Sequence, residues 1–246
     1  MRIEVLKKMD RIAKAAASRD PDDLLAYMGY VFIDPGNSVD GFIMRRKGTT
    51  YYGVSRNLTG KKYDFGVMHE GFHGLCGHLD FPGFLNGAGA HTDIGSFSDF
   101  HLVASTERDA NIGAADFVVD TEAVLDMMGY DNADVVAYRA SVESFEQAVR
   151  DYKRHYSIVR LNGSPEGRVR RMEAYQQELA RMYEELQEQA RDIRHGGCCL
   201  TKGEMAQEAC VPAYIIDFKL EALEVRGYDV SGIELPTFDK VFSRWQ

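Results

Sequence analysis

Two histidines four residues apart flank a glutamate in the stretch His69-Glu70-Gly71-Phe72-His73. In a helix, residues i and i+4 share one face, so both imidazoles can converge on a single ion. Glu70, one position along, points beside that ion rather than at it. That is where a general base acting on a metal-polarised water has to sit. Zinc suits two imidazoles and a carboxylate, with a fourth position left for water. The competing reading of these five residues alone is a histidine pair facing solvent.

A third ligand must come from elsewhere. His78 follows His73 by five residues, so the longer HExxHxxGxxH arrangement is not met. Glu107 is the better candidate, because Asn111 lies one helical turn later on the same face. A ligand carboxylate followed one turn on by Asn or Asp is the gluzincin pattern, in which the later residue bonds a ligand imidazole and fixes its tautomer. Asp109, two residues from Glu107, projects from the other side and reads as a surface charge.

The motif needs a helix, and the apolar residues Phe65, Val67, Met68, Phe72 and Leu75 predict one over 62–79. Gly71 costs such a helix about 1 kcal/mol relative to Ala, a cost that a close-packed neighbouring segment would explain. A second helix over 99–119 carries Glu107. Between them, residues 80–97 are rich in Gly, Asp, Ser and Pro and read as a long loop, one candidate for a cover over the site. Upstream, 2–18 predicts an amphipathic helix, and Asp20-Pro21 an N-cap with proline at the first helical position. The runs 30–33, 41–44 and 50–54 predict a small antiparallel sheet whose edge can hold an extended peptide.

Beyond residue 130 the pattern becomes helical. Val135, Tyr138, Val142, Phe145, Val149, Tyr152 and Tyr156 recur by threes and fours, as do Met172, Tyr175, Leu179, Met182, Leu186 and Ile193. Two long helices around a Gly/Pro break predict a hairpin over 133–195. Its apolar stripe faces the rest of the protein, or the hairpin is a protruding arm or a contact with a second copy of the chain. Residues 201–227 read as a helix-turn-helix-like pair, but Asp217, Glu221 and Glu224 make its second helix a poor reader of phosphates. The tail, with Phe238, Phe242 and Trp245, is apolar enough to dock. The expected class is α+β, with a zincin-like domain over 1–130 and a helical region over 131–246.

The formal charge of -9 over 246 residues argues against non-specific nucleic-acid binding. No run approaches the roughly 20 apolar residues of a membrane span, and charges interrupt the first twenty residues too often for a secretory signal. Four cysteines without CxxC spacing, two of them the adjacent Cys198 and Cys199, read as reduced thiols. A cytoplasmic protein is the expectation.

His69-Glu70-x-x-His73 followed by Glu107-Arg108-Asp109-Ala110-Asn111-Ile112-Gly113-Ala114-Ala115 resembles the ImmA/IrrE family of metallo-endopeptidases. That family shows HELGH and then E-x-E-A-N-x-F-A-A-x-L-L-M-P, and the resemblance spans about residues 19–120. Gly71-Phe72 replaces Leu-Gly, Gly113 replaces Phe, and Val118-Val119-Asp120 replaces Leu-Met-Pro; no ligand and no base is lost. The resemblance implies a cytosolic endopeptidase with one zinc ion, whose substrate is a specific repressor of a prophage or integrative element. His69, His73 and Glu107 would hold the metal, Asn111 would support it, and Glu70 would take the proton of the attacking water. Candidate oxyanion donors are His91, His101 and Tyr52. The alternative is a non-catalytic anti-repressor that binds zinc structurally and acts by protein contact.

Overall fold

The computed structural model describes residues 1–36, 40–80, 97–159, 164–197 and 199–230. The class is α+β, as expected. Two compact units form, one from Met1–Thr121 with Lys202–Val230, the other from Glu122–Thr201.

The first unit opens with α1 (Ile3–Ala16) and α2 (Pro21–Tyr27). Asp20 caps α2 by accepting the Asp23 N–H at 3.1 Å, with Pro21 at the first helical position. Three strands follow: β1 (Val31–Phe32), β2 (Gly41–Arg46) and β3 (Thr49–Val54), in the order β1-β3-β2. Lys47 and Gly48, both at positive φ (50° and 81°), make the two-residue turn that joins β2 to β3 as an antiparallel hairpin. The fully antiparallel sheet predicted from sequence is not what forms. β1 pairs parallel to β3, Val31 with Tyr51 and Phe32 with Tyr52. The tight turn already commits one side of β3 to β2. β1 takes the remaining edge of β3.

The motif helix, α3 (Lys61–Leu75), packs on this sheet and on α4 (Phe97–Val118). It ends four residues before the predicted stop. Gly77, at φ 76°, turns the backbone left-handed and starts a 3-10 turn over His78–Asp80. Val67, Met68 and Phe72 of α3 and Ala110, Ala114 and Ala115 of α4 are buried at the seam. Small residues on α4 let the two axes approach. At Gly113 a Cβ would fall inside the van der Waals envelope of the Phe72 ring, and at Gly71 it would lie 2.9 Å from Leu25 of α2. The helix-weakening glycine of the motif thus has a packing reason.

The predicted boundary near 130 differs from the observed division at 201–227. Helices α8 (Lys202–Glu208) and α9 (Ala213–Arg226) belong with the first unit. The cause is visible on α9, which packs against α4 and buries Ile215, Ile216, Leu220 and Leu223. Lys219, fully buried on α9, donates to the Asp116 carboxylate at 3.0 Å and to Thr121 Oγ1 at 2.8 Å. Arg226 grips Asp116 and also Asp10 of α1. Burial alone would raise Asp116; Arg226 and Lys219 outweigh it and hold the carboxyl below its ordinary value.

The second unit contains α5 (Thr121–Met127, its first residue apart), α6 (Ala133–Val159) and α7 (Pro165–His195). The predicted apolar stripes meet each other: Val135, Tyr138, Phe145, Val149 and Tyr152 pack with Leu179, Leu186, Ala190 and Ile193. A spacing of three and four along both helices is what a two-helix seam requires. Residues 81–96 of the predicted loop and the tail from 231 lie outside the described residues. Among the described residues, no helix is long and apolar enough to cross a membrane, and Cys76, Cys199 and Cys210 are in no disulfide.

Candidate metal centre

α3 supplies His69, Glu70 and His73, and α4 supplies Glu107 and Asn111. The two imidazoles point their Nε2 atoms at each other, 3.0 Å apart. Glu107 closes the triangle, with carboxylate oxygens 3.3 Å from His69 Nε2 and 3.5 Å from His73 Nε2. One ligand atom from each of the three residues fits within 4.8 Å of the others, so the group could hold a metal ion.

The outward nitrogens are also engaged. His69 Nδ1 donates to the Asn111 amide oxygen at 2.9 Å. That oxygen can only accept, so it keeps the proton on Nδ1 and leaves the Nε2 lone pair free. His73 Nδ1 lies 2.9 Å from His78 Nδ1. The sequence offered a signal for the Asn111 contact, one turn from Glu107, but none for His78, whose spacing fits no helical ligand pattern.

Charges in this cluster are strongly shifted. Burial works against the Glu107 carboxylate, but the bonds from His69 and His73 hold it well below the usual carboxylate range. Burial also disfavours a charged His69, yet Glu107 and Glu70 together raise its pKa above the ordinary histidine value. His73 moves the other way, because burial is its largest influence and His69 adds to it.

Glu70 is not part of the triangle, as its position one residue from His69 predicts. Its side chain is buried, and burial pushes the carboxyl up to about 7, with His69 opposing and Glu107 reinforcing. Glu70 points toward the first residue of β2: a Cβ on Gly41 would lie 2.6 Å from Glu70 Oε1. The edge strand β2 therefore passes directly beside the buried carboxyl, and only glycine leaves room there. On the other side of the site, Phe65 packs 6.3 Å from the His69 ring and takes Tyr214 of α9 edge-on at 6.0 Å.

The remaining predicted residues fare differently. Tyr52 is buried and gives its one hydroxyl proton to Asp22 of α2 at 2.6 Å, with Tyr63 donating to the other oxygen at 3.1 Å. That bond ties the sheet to α2 and leaves Tyr52 no proton for an oxyanion, which removes it from the donor candidates. His91 lies outside the described residues. His101 falls in the first turns of α4, but its side chain also lies outside what is described. Asp109 is largely covered rather than a free surface charge, and it pairs with the amino group of Met1.

No protein-family model, no curated protein and no solved structure matches the chain.

Proposed function

We propose that the chain is a zinc-dependent peptidase whose centre is His69, His73 and Glu107, with Glu70 as the base. The observation that carries this reading is the triangle of ligand atoms. Four ligands at zinc's bond lengths of about 2.0–2.1 Å in a tetrahedron stand about 3.3 Å apart. Here the two Nε2 atoms are 3.0 Å apart, Glu107 Oε2 lies 3.3 Å from His69 Nε2 and Glu107 Oε1 lies 3.5 Å from His73 Nε2, and one ligand atom from each residue lies within 4.8 Å of the other two. Lone-pair-bearing nitrogens and oxygens that close repel unless a proton or a cation lies between them. Two imidazoles and one carboxylate, with a fourth position left to water, is a donor set typical of catalytic zinc.

Zinc held there would supply Lewis acidity, lowering the pKa of water and polarising a carbonyl oxygen. The chain's own part in the reaction falls to Glu70. Burial raises the Glu70 carboxyl above its ordinary value in the metal-free protein, and a basic carboxylate beside the site is suited to accepting a proton and returning it. Glu70 takes the proton of the attacking water and passes it to the departing amine. A peptide extended along β2 would run beside this carboxyl, since Gly41 opens that edge toward Oε1. The likeness of His69-Glu70-x-x-His73 and Glu107-x-x-x-Asn111 to ImmA/IrrE metallo-endopeptidases supplies the substrate class, a repressor protein of a mobile element.

Metal analysis of the purified protein and of Glu107→Ala tests the centre. The expected result is one zinc per wild-type chain and loss in the variant. No zinc in the first, or an unchanged content in the second, overturns the assignment. Glu70→Gln separates catalysis from binding. It should retain zinc and lose all cleavage of a fluorogenic peptide library. A variant that keeps the protein's biological effect without cleavage would instead support an anti-repressor that acts by contact.

A further inference from the structure

His78 has no part in the reaction outlined above, yet it is 3% exposed and its Nδ1 stands 2.9 Å from Nδ1 of His73. The two rings are 5.0 Å apart, inclined by 69°. On a continued helix, residue 78 would lie about 140° around the axis from residue 73 and face away from it. The left-handed turn at Gly77 reverses that, and the 3-10 turn brings His78 back beneath the last turn of α3.

Two nitrogens 2.9 Å apart share one proton, so one donates and the other accepts. For His73 to turn an Nε2 lone pair toward Glu107 and His69, its own proton must be on Nδ1. His78 Nδ1 is then the acceptor, and the His78 proton is on Nε2. We propose that His78 is a positioning residue that accepts the Nδ1 proton of His73, fixing the tautomer and tilt of that ring so that Nε2 faces the metal. The proposal rests on reading the triangle as a metal centre. It gives each histidine ligand its own fixed acceptor: Asn111 on α4 for His69 and His78 for His73. Both acceptors are neutral, so neither adds a negative charge beside Glu70 and Glu107. Partners of this kind fix ring orientation, and their loss typically weakens metal binding by about 10–100-fold.

The test uses the full chain with nitrogen-15 histidine, loaded with zinc. A nitrogen–nitrogen coupling through the hydrogen bond should connect His73 and His78, with the proton attached to His73 Nδ1. Absence of the coupling, or a proton residing on His78 Nδ1, overturns the proposal. Zinc affinity, read by competition with a chelator, gives a second readout. His78→Leu fills the space without an acceptor and should lose about 10–100-fold. His78→Asn places an amide oxygen close to where Nδ1 was and should recover most of that loss. Equal losses in both variants, with circular dichroism unchanged, would reduce His78 to a space-filling role. If His78→Leu fails to fold, the coupling and the Asn variant still decide. A protein that binds no zinc overturns the metal reading and this inference together. One that binds zinc without the coupling overturns this inference alone.

Discussion

The contact between Phe72 and Gly113 predicts a strong coupling between two residues that neither bind metal nor carry a proton. Phe72 is 1% exposed, and three of its ring carbons occupy the place of a Cβ at position 113. Gly113→Ala alone would gain about 1 kcal/mol of helix propensity. It must also overpack a ring with nowhere to go, at about 3 kcal/mol, the upper part of the usual range. The net expectation is a loss of about 2 kcal/mol. Phe72→Ala alone should cost about 3–5 kcal/mol, as for other buried aromatic truncations. With the ring removed, the new methyl at 113 has room and its propensity gain survives. The double variant should then be about 1 kcal/mol more stable than Phe72→Ala, a coupling of about 3 kcal/mol. Hydrogen exchange of α3 and α4 amides in the metal-free protein reads the first unit without averaging over the second. Single effects that add to within about 0.5 kcal/mol would refute the contact.

Three further outcomes follow from the same geometry. The folded-state pKa of Glu70, about 7, lies above the ordinary 4.5, so the fold favours the neutral acid. Its contribution is full below about 4.5 and is lost as pH rises through about 7. In metal-free protein the stability of wild type relative to Glu70→Gln should therefore rise by up to about 3 kcal/mol as pH falls through that window, at about 1.4 kcal/mol per unit; a flat difference in urea titrations would contradict the burial argument. Asp116→Ala leaves Lys219 buried and Arg226 half-paired and should cost about 3–5 kcal/mol, whereas Lys219→Met keeps the Arg226 pair and should cost less; the reverse order in denaturation would mean that Lys219, not Asp116, is the hub. Tyr52→Phe should lose about 1.5 kcal/mol, the low end for a hydrogen bond to a charged group, since Tyr63 still donates to Asp22. Zinc content and peptide turnover should be unchanged in that variant, and a large fall in turnover would return Tyr52 to the oxyanion candidates.

The sequence made the candidate centre readable because its residues obey helical periodicity. His69 and His73 share a face of α3, and Glu107 and Asn111 share a face of α4, so spacing alone predicts which atoms can converge. The hairpin was legible for the same reason: its stripe of threes and fours needs nothing but a second stripe. Where the chain leaves regular geometry, periodicity stops informing. His78 reaches His73 only because Gly77 adopts a left-handed conformation, and a glycine does not announce which way it turns. The pairing of β1 with β3 depends on which edge a non-local connection reaches, and alternation of side chains is the same for either edge.

Phe72 and Gly113 are more than forty residues apart in sequence, yet they meet across the seam between α3 and α4, where the absent side chain of one makes room for the ring of the other. That packing sets how closely the two helices approach, and with it the distance from His73 to Glu107. The same logic explains why residues 202–230 join the first unit. Glu107 can hold its position only if α4 is anchored, and Asp116, two and a half turns further on, is held by Lys219 and Arg226 of α9 and through Arg226 to Asp10 of α1. An acidic helix that reads as unsuited to nucleic acid is, on its buried side, the support of the helix that carries Glu107.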